Sequence, residues 1–313
     1  HASDIFLIIA SLIGQVPAIA LALFAVARNK LLHMRIQLNP GSWLGLIRGG
    51  LPFGVIALTL SMAYKVDTII LKGYTSDSMV GWYNAAYNLV FSLMFLTNGF
   101  KEAIVPSLAR AHVGDPTQVV RWYQRTVKVL MILSLPIAVG GTILAFPLIR
   151  LLYTQAFLPS ALALMVLIWD VPFLMYTAFC GNITTIISEE RQAARVYGID
   201  AVGNVLLNLW AIPLYGLMGA AIITVATDLA GTIQFYWLLR KKLGATSFLE
   251  PLLKTVLAAG VMGVVVYLLR DLQIFLTIGI GALVYAILVL ILRLIDDSEW
   301  TLILRLLRPS HQS

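Results

Sequence analysis

Nine long apolar stretches decide what this chain can fold into. They cover residues 5–27, 47–72, 79–101, 127–152, 160–187, 196–213, 216–239, 252–270 and 273–293. Stretches of this length match the hydrocarbon thickness of a bilayer, where backbone groups must be hydrogen-bonded within their own segment. The sequence therefore predicts an all-α fold, a polytopic transmembrane helical bundle of about nine spans.

Composition excludes the main soluble classes. Hydrophobic residues make up 60% of the 313 residues and charged residues 12%, with a mean hydropathy of +0.89. Soluble domains carry about twice that share of charge. The single Cys180 excludes an internal disulfide and a multi-cysteine metal cage. Because the sequence has no phosphate-binding glycine loop and no plausible hydrolytic Ser/His/Asp set, we predict no catalytic residues and no cofactor. His33 and His112 have no partners at metal-ligand spacing, so we predict no metal site. The basic residues lie in short connections between the apolar stretches and not in one patch, so we predict no nucleic-acid partner.

Lys and Arg residues fall mainly on one side of the predicted bundle. Of the 22, all but Lys65, Lys72, Arg150 and Arg270 lie on the side that the C-terminus shares. Cytoplasmic connections are enriched in Lys and Arg, so we expect a cytoplasmic C-terminus and an external residue 1. An odd number of spans that begins at His1 indicates a chain that lacks its first helices.

The connection over residues 105–126 has a helix signal of its own. Pro116 is suited to a first helical position, and Arg121, Arg125 and Lys128 then fall on one helical face. This pattern predicts an interfacial helix whose basic residues extend toward anionic headgroups. Direct contact with a substrate is the alternative.

Charged residues inside the second stretch indicate a functional site, because such residues are costly in lipid. Lys65 and Lys72 are seven residues apart and share a helical face, whereas Asp67 points elsewhere. We expect the two lysines to form a seat for an anionic ligand such as phosphate. The alternative is that Lys65 pairs with a carboxylate on another helix, such as Asp170, while Lys72 extends to the outer interface.

Three later stretches each carry polar residues at every fourth position, which places each set on one helical face. The sets are Asn84–Asn88–Ser92, Asp200–Asn204–Asn208 and Thr224–Asp228–Thr232. They predict either the wall of a hydrated cavity or hydrogen bonds between helices. The candidate substrate-binding residues are Lys65, Asp67, Lys72, Asn84, Asn88, Asn204 and Asn208, and the candidate ion-coupling residues are Asp170 and Asp228.

Two motifs resemble the bacterial polysaccharide (O-antigen-type) flippases, which share a superfamily with the multidrug exporters and the lipid II flippases. The first is Tyr64-Lys-Val-Asp67 followed by Val80-Gly-Trp-Tyr-Asn-Ala-Ala-Tyr87, and the second is Pro213-Leu-Tyr-Gly216-Leu-Met-Gly-Ala-Ala221. The resemblance covers about residues 5–243. It places Asp67 at the position of the acidic residue of the family. The role of Lys65 as a diphosphate contact is inferred from its charge and depth.

The resemblance implies two six-helix lobes, often followed by two extra helices. Residues 1–46 then hold the last helix of the first lobe and the inter-lobe linker, residues 47–243 the second lobe, and residues 244–313 two additional helices and a cytoplasmic tail. The implied function is a membrane flippase rather than an enzyme. It moves polyprenyl-diphosphate-linked oligosaccharide across the bacterial inner membrane by alternating access, for O-antigen or exopolysaccharide biosynthesis.

The implied partners are the lipid-linked oligosaccharide, membrane lipids, a polysaccharide polymerase and glycosyltransferases. One alternative is a multidrug exporter of the same fold, against which the basic strip of Lys65 and Lys72 counts. Another is a non-transporting membrane scaffold, or a fragment.

Overall fold

The computed structural model describes residues 40–99, 104–105, 108, 116–244 and 247–295, and the regular elements in these ranges are all helical. The helices are α1 Pro40–Tyr74, α2 Asp77–Ser92, α3 Pro116–Ile143, α4 Ala145–Leu152, α5 Ser160–Leu167, α6 Asp170–Ile186, α7 Glu190–Leu243, α8 Leu249–Leu268 and α9 Ile274–Ile291. The predicted first span lies outside the described residues. The chain divides into two compact units, residues 1–49 and 50–313, and helices α2 to α9 belong to the second.

The helices follow the predicted apolar stretches closely. Among the described residues, four helices (α3, α7, α8 and α9) are long and apolar enough to cross a bilayer, and the pair α5 and α6 makes a fifth. This pair is bent by 45°. Pro172 cannot donate a hydrogen bond to the carbonyl group of Ile168, which explains a bend at this point. The protein is therefore a multi-pass membrane protein, as the sequence predicts.

Helix α7 is a hairpin of two antiparallel arms, residues 190–215 and 217–243. Gly216 separates the arms with φ +54° and ψ −129°, a conformation that favours glycine. The arms touch along their length, since Asn204 Nδ2 lies 3.2 Å from Thr227 Oγ1. A side chain at Gly219 would meet the carbonyl oxygen of Ala211. The two arms of α7 thus correspond to the two predicted spans, 196–213 and 216–239.

Helix α3 differs from its prediction in one respect. It begins at Pro116, but it continues without a break to Ile143. The basic residues Arg121, Arg125 and Lys128 therefore lie on the first turns of a spanning helix and not on a separate interfacial helix. The apolar run that starts near residue 127 prolongs the helix because no breaker stands between the two segments.

Helices α8 and α9 attach to α3. Small residues allow the close approach, since a side chain at Gly263 would meet Val139 and one at Gly281 would meet Val266. The Tyr285 hydroxyl on α9 also donates to the carbonyl oxygen of Ile132 at 2.7 Å. The polar centre of the bundle is formed by the other helices α1, α2, α6 and α7.

Candidate functional site

A buried carboxylate on α1 is the centre of a hydrogen-bond network. Asp67 is 3% exposed, and its Oδ2 accepts hydrogen bonds from the Tyr83 hydroxyl at 2.9 Å and the Thr224 hydroxyl at 2.8 Å. Its Oδ1 accepts a third from Asn208 Nδ2 at 2.7 Å. An ionised carboxylate accepts hydrogen bonds and donates none, so three donors suit the charged form and offset part of the cost of its removal from water.

The network continues across both arms of α7. Asn208 Nδ2 also lies 3.1 Å from Asn204 Oδ1, and Asn204 Nδ2 donates to Thr227 Oγ1. The Thr227 hydroxyl in turn donates to the carbonyl oxygen of Ile223 at 2.9 Å. Asn208 Oδ1 is a buried acceptor without a partner in the described part of the chain. Asn204 and Asn208 therefore lie beside Asp67, and all three are buried.

Two further carboxyl groups lie close to this network. Asp170 begins α6 directly after the bend and is 1% exposed. Its carboxyl group lies close to that of Asp228, and both interact electrostatically with Asp67. A hydrogen bond between two carboxyl groups requires a proton on one of them. The Asp170–Asp228 pair is therefore a candidate for holding and releasing a proton. Over the described ranges, no ion pair joins Asp170 to Lys65, so the alternative pairing of these two residues is not found.

A cavity of about 540 Å³ lies between α1 and α2. Lys65, Asn84 and Asn88 line it, and its wall is completed by Thr68, Ile69, Tyr87 and Phe91. The Thr68 hydroxyl donates to Asn84 Oδ1 at 2.9 Å, which holds the amide against α1. The cavity thus combines an ammonium group, two amides and aromatic rings, a set that suits a ligand with anionic and hydroxyl groups.

Two predicted polar residues lie apart from these groups. Lys72 is exposed in the last turn of α1 and does not belong to the described wall of the cavity. The Asp200 carboxylate lies against Gly231, where a side chain would collide with it, and is 3.4 Å from Gln234 Nε2. The structure thus gathers the sequence candidates into a network, a carboxyl pair and a cavity, with Lys72 outside all three.

Sequence reasoning misses the role of Tyr83. The residue belongs to the first motif, but its pairing with Asp67 depends on how α1 and α2 face each other. Consecutive residues of a helix project about 100° apart. Tyr83 therefore faces the Asp67 network, while the next residue, Asn84, faces the cavity.

Comparison with known proteins gives a family match over residues 5–162, to the family described as "Polysaccharide biosynthesis protein". The chain is 26% identical over 246 residues to the "Probable flippase AglR" of Haloferax volcanii, which covers 73% of this chain and 50% of that protein. It is 20% identical over 249 residues to the "Probable low-salt glycan biosynthesis flippase Agl15" of the same organism, with 77% and 53% covered. The chain spans about half the length of these curated relatives.

Among solved structures, the chain is similar to "Lipid II flippase MurJ, inward closed conformation". The TM-score is 0.69 at 18% sequence identity, over 86% of this chain and 59% of that one. At this identity the likeness shows the fold alone, and it confirms the predicted helical bundle.

Proposed function

The chain belongs to the polysaccharide biosynthesis protein family, and from this membership we propose that it forms part of a flippase for polyprenyl-diphosphate-linked oligosaccharides. In this proposal, residues 1–46 hold the last helix of the first lobe and the linker. Residues 47–243 form the second lobe, and residues 244–313 form two added helices and a tail. The flippase names of the relatives, each about twice as long as the aligned part of this chain, support the assignment.

The cavity beside Lys65 is the observation that carries the proposal. A diphosphate and its sugars must cross hydrocarbon that offers them no hydrogen bonds, and a cationic group with amides offsets that loss. Lys65, Asn84 and Asn88 provide these groups on one wall. In this proposal Lys72 guides the released headgroup at the outer end of α1.

The charge distribution favours an anionic substrate over the cationic drugs of a multidrug exporter. The described wall of the cavity includes the ammonium group of Lys65 and no carboxylate. Asp67 and Asp170 are buried and do not belong to the described wall of the cavity, and Asp67 is held by hydrogen bonds from Thr224 and Asn208. A cationic drug in this cavity would meet a like charge and no opposite one.

We assign ion coupling to Asp170 and Asp228, and substrate support to Asp67, Asn204 and Asn208 through the network that fixes α1 against α7. The lobes would rock about this centre and expose the cavity to each side in turn. The proposed location is the inner (plasma) membrane of a bacterium, with a cytoplasmic C-terminus. The proposed partners are a polysaccharide polymerase and glycosyltransferases that make and consume the substrate.

Complementation tests the function directly. The intact reading frame that contains this chain is expressed in cells that lack their own polysaccharide flippase. We expect surface polysaccharide to return and lipid-linked oligosaccharide to stop accumulating in the inner leaflet. If oligosaccharide keeps accumulating although the protein is in the membrane, the proposed activity is rejected.

The Lys65→Ala variant tests the site in the same cells. A hydrogen bond to a charged group contributes about 1.5–3 kcal/mol, so we expect transport to fall by about 10- to 100-fold while the membrane level stays normal. Lys65→Arg keeps the charge and should keep part of the activity. Lys241→Ala, an exposed lysine in the last turn of α7, is the matched control. Normal transport by Lys65→Ala would reject the contact with the headgroup.

A further inference from the structure

A second and larger cavity lies on another side of the bundle. It has a volume of about 650 Å³ between α3, α6, α7 and the start of α8, which is within the usual range of ligand pockets. Its walls are mostly apolar, with Leu130, Phe173 and Leu252 on three different helices. Ser134 and Thr232 contribute hydroxyl groups to the same wall. The proposed flippase function does not use this cavity.

The cavity is long and is open to the side. Along α7 it reaches from Thr232 to Arg240, a rise of about 12 Å. Two of its lining residues face outward, since Ile233 is 49% exposed and Leu249 is 64% exposed. These residues lie on α7 and α8, so the opening lies between two membrane helices. A flexible hydrocarbon chain fits such a slot better than a compact polar ligand.

One end of the cavity is basic. The last turn of α7 contains Arg240, Lys241 and Lys242. Lys242 forms an ion pair with Glu189, and Lys254 near the start of α8 forms one with Glu250 at 2.6 Å. These two ammonium groups are thus neutralised locally.

Arg240 is the basic residue of this group that lines the cavity. Within the described ranges it forms no ion pair, and its guanidinium lies 5.2 Å from the ring of Trp237. An exposed guanidinium beside an aromatic ring presents its donors to a phosphate. Ser247, which also lines the cavity, adds a hydroxyl near the same end.

We propose that this cavity binds an anionic glycerophospholipid of the surrounding membrane. One acyl chain lies along α3 and α7, and the phosphate contacts the Arg240 guanidinium and the Ser247 hydroxyl. The apolar walls match the chain, the side opening lets it enter from the bilayer, and the basic end selects the headgroup. The lipid fills the space beneath the start of α8 and stabilises its contact with α3.

Lipid binding is measured on the protein purified in detergent from its intact reading frame. Native mass spectrometry follows the retention of phosphatidylglycerol or phosphatidylcholine as each is added. One basic side chain at an anionic surface contributes a factor of about five in affinity. We therefore expect about five-fold tighter binding of phosphatidylglycerol, and we expect Arg240→Ala to remove that preference.

Three further variants separate a site from general attraction. Arg270→Ala is the matched control, because Arg270 lies 4.2 Å from the ring of Tyr267 beyond the far end of α8. This control should keep the preference for phosphatidylglycerol. Ser134→Phe fills the cavity and should lower the occupancy of both lipids. If Ser134→Phe fails to fold, Leu252→Trp replaces it as the cavity-filling variant, with the same expected result.

The proposal is overturned if Arg240→Ala keeps the preference for phosphatidylglycerol, if Arg270→Ala loses that preference as well, or if the filled variants still retain the lipid. It is also overturned if a polyprenyl diphosphate displaces the phospholipid one for one, since the cavity would then hold the tail of the substrate. None of these measurements requires transport, so their failure is distinct from failure of the flippase proposal.

Discussion

The hydrogen bond from Thr224 to Asp67 allows a quantitative test of the buried network. Thr224→Val keeps the shape of the side chain and removes the hydroxyl, which lies 2.8 Å from Asp67 Oδ2 and 3.2 Å from the Tyr83 hydroxyl. A hydrogen bond to a charged group contributes about 1.5–3 kcal/mol. Hydrogen bonds between membrane helices average only about 0.6 kcal/mol. We expect a loss of about 2 kcal/mol in the free energy of unfolding if the carboxylate is ionised.

The measurement is reversible unfolding in mixed detergent micelles. Thr255→Val is the matched control, because the buried Thr255 hydroxyl donates to the carbonyl oxygen of Pro251 at 2.7 Å, within its own helix. That control should lose no more than about 1 kcal/mol. Thr224→Ser keeps the hydroxyl and should recover part of the stability.

A double-mutant cycle decides whether the charge is responsible. In an Asp67→Asn background the Thr224 hydroxyl meets a neutral amide, so Thr224→Val should then cost only about 0.6 kcal/mol. The expected coupling is therefore more than about 1 kcal/mol, which is typical of residues in direct contact. If the two substitutions are additive, Thr224 does not stabilise a charged Asp67 and the reasoning is refuted.

Two other predictions concern the hairpin and the carboxyl pair. Gly216→Ala forces a side chain into φ +54° and should lower the free energy of unfolding by about 1–3 kcal/mol. Gly198→Ala is the comparison variant, because a side chain added at Gly198 would have no neighbouring atom within 4 Å. It should be neutral or stabilising by up to about 1 kcal/mol in the same unfolding assay. Asp170→Asn removes one of the two neighbouring carboxyl groups, so we expect the pH or ion dependence of transport to change. An unchanged profile would assign Asp170 a packing role.

The spans could be predicted from the sequence because bilayer thickness sets their length. The apolar stretch 252–270 became Leu249–Leu268, and 273–293 became Ile274–Ile291. The bend between α5 and α6 could not be predicted with the same certainty, although Pro172 is visible in the sequence. Proline is tolerated in membrane helices, and its effect depends on the neighbours that satisfy the freed carbonyl group.

The faces of single helices could be predicted, but their partners could not. Periodicity places Asn204 and Asn208 on one face, and the structure brings Asn208 to Asp67 and Asn204 to Asn208. Asp200 shares that face and still misses the network, because it lies further along the arm, against Gly231. The proximity of Asp170 to Asp228 could not be predicted either, since the rule of opposite charges favours a cation as the neighbour of a buried carboxyl group.

The hairpin form of α7 has a consequence for biogenesis. Asn204 and Thr227 bond each other across the two arms, so these side chains need no third helix to satisfy part of their polarity. Two spans joined by a single glycine turn can leave the translocon together with those groups already paired. The polar centre of the protein can therefore begin to assemble during synthesis, before the carboxylate of Asp67 docks against it.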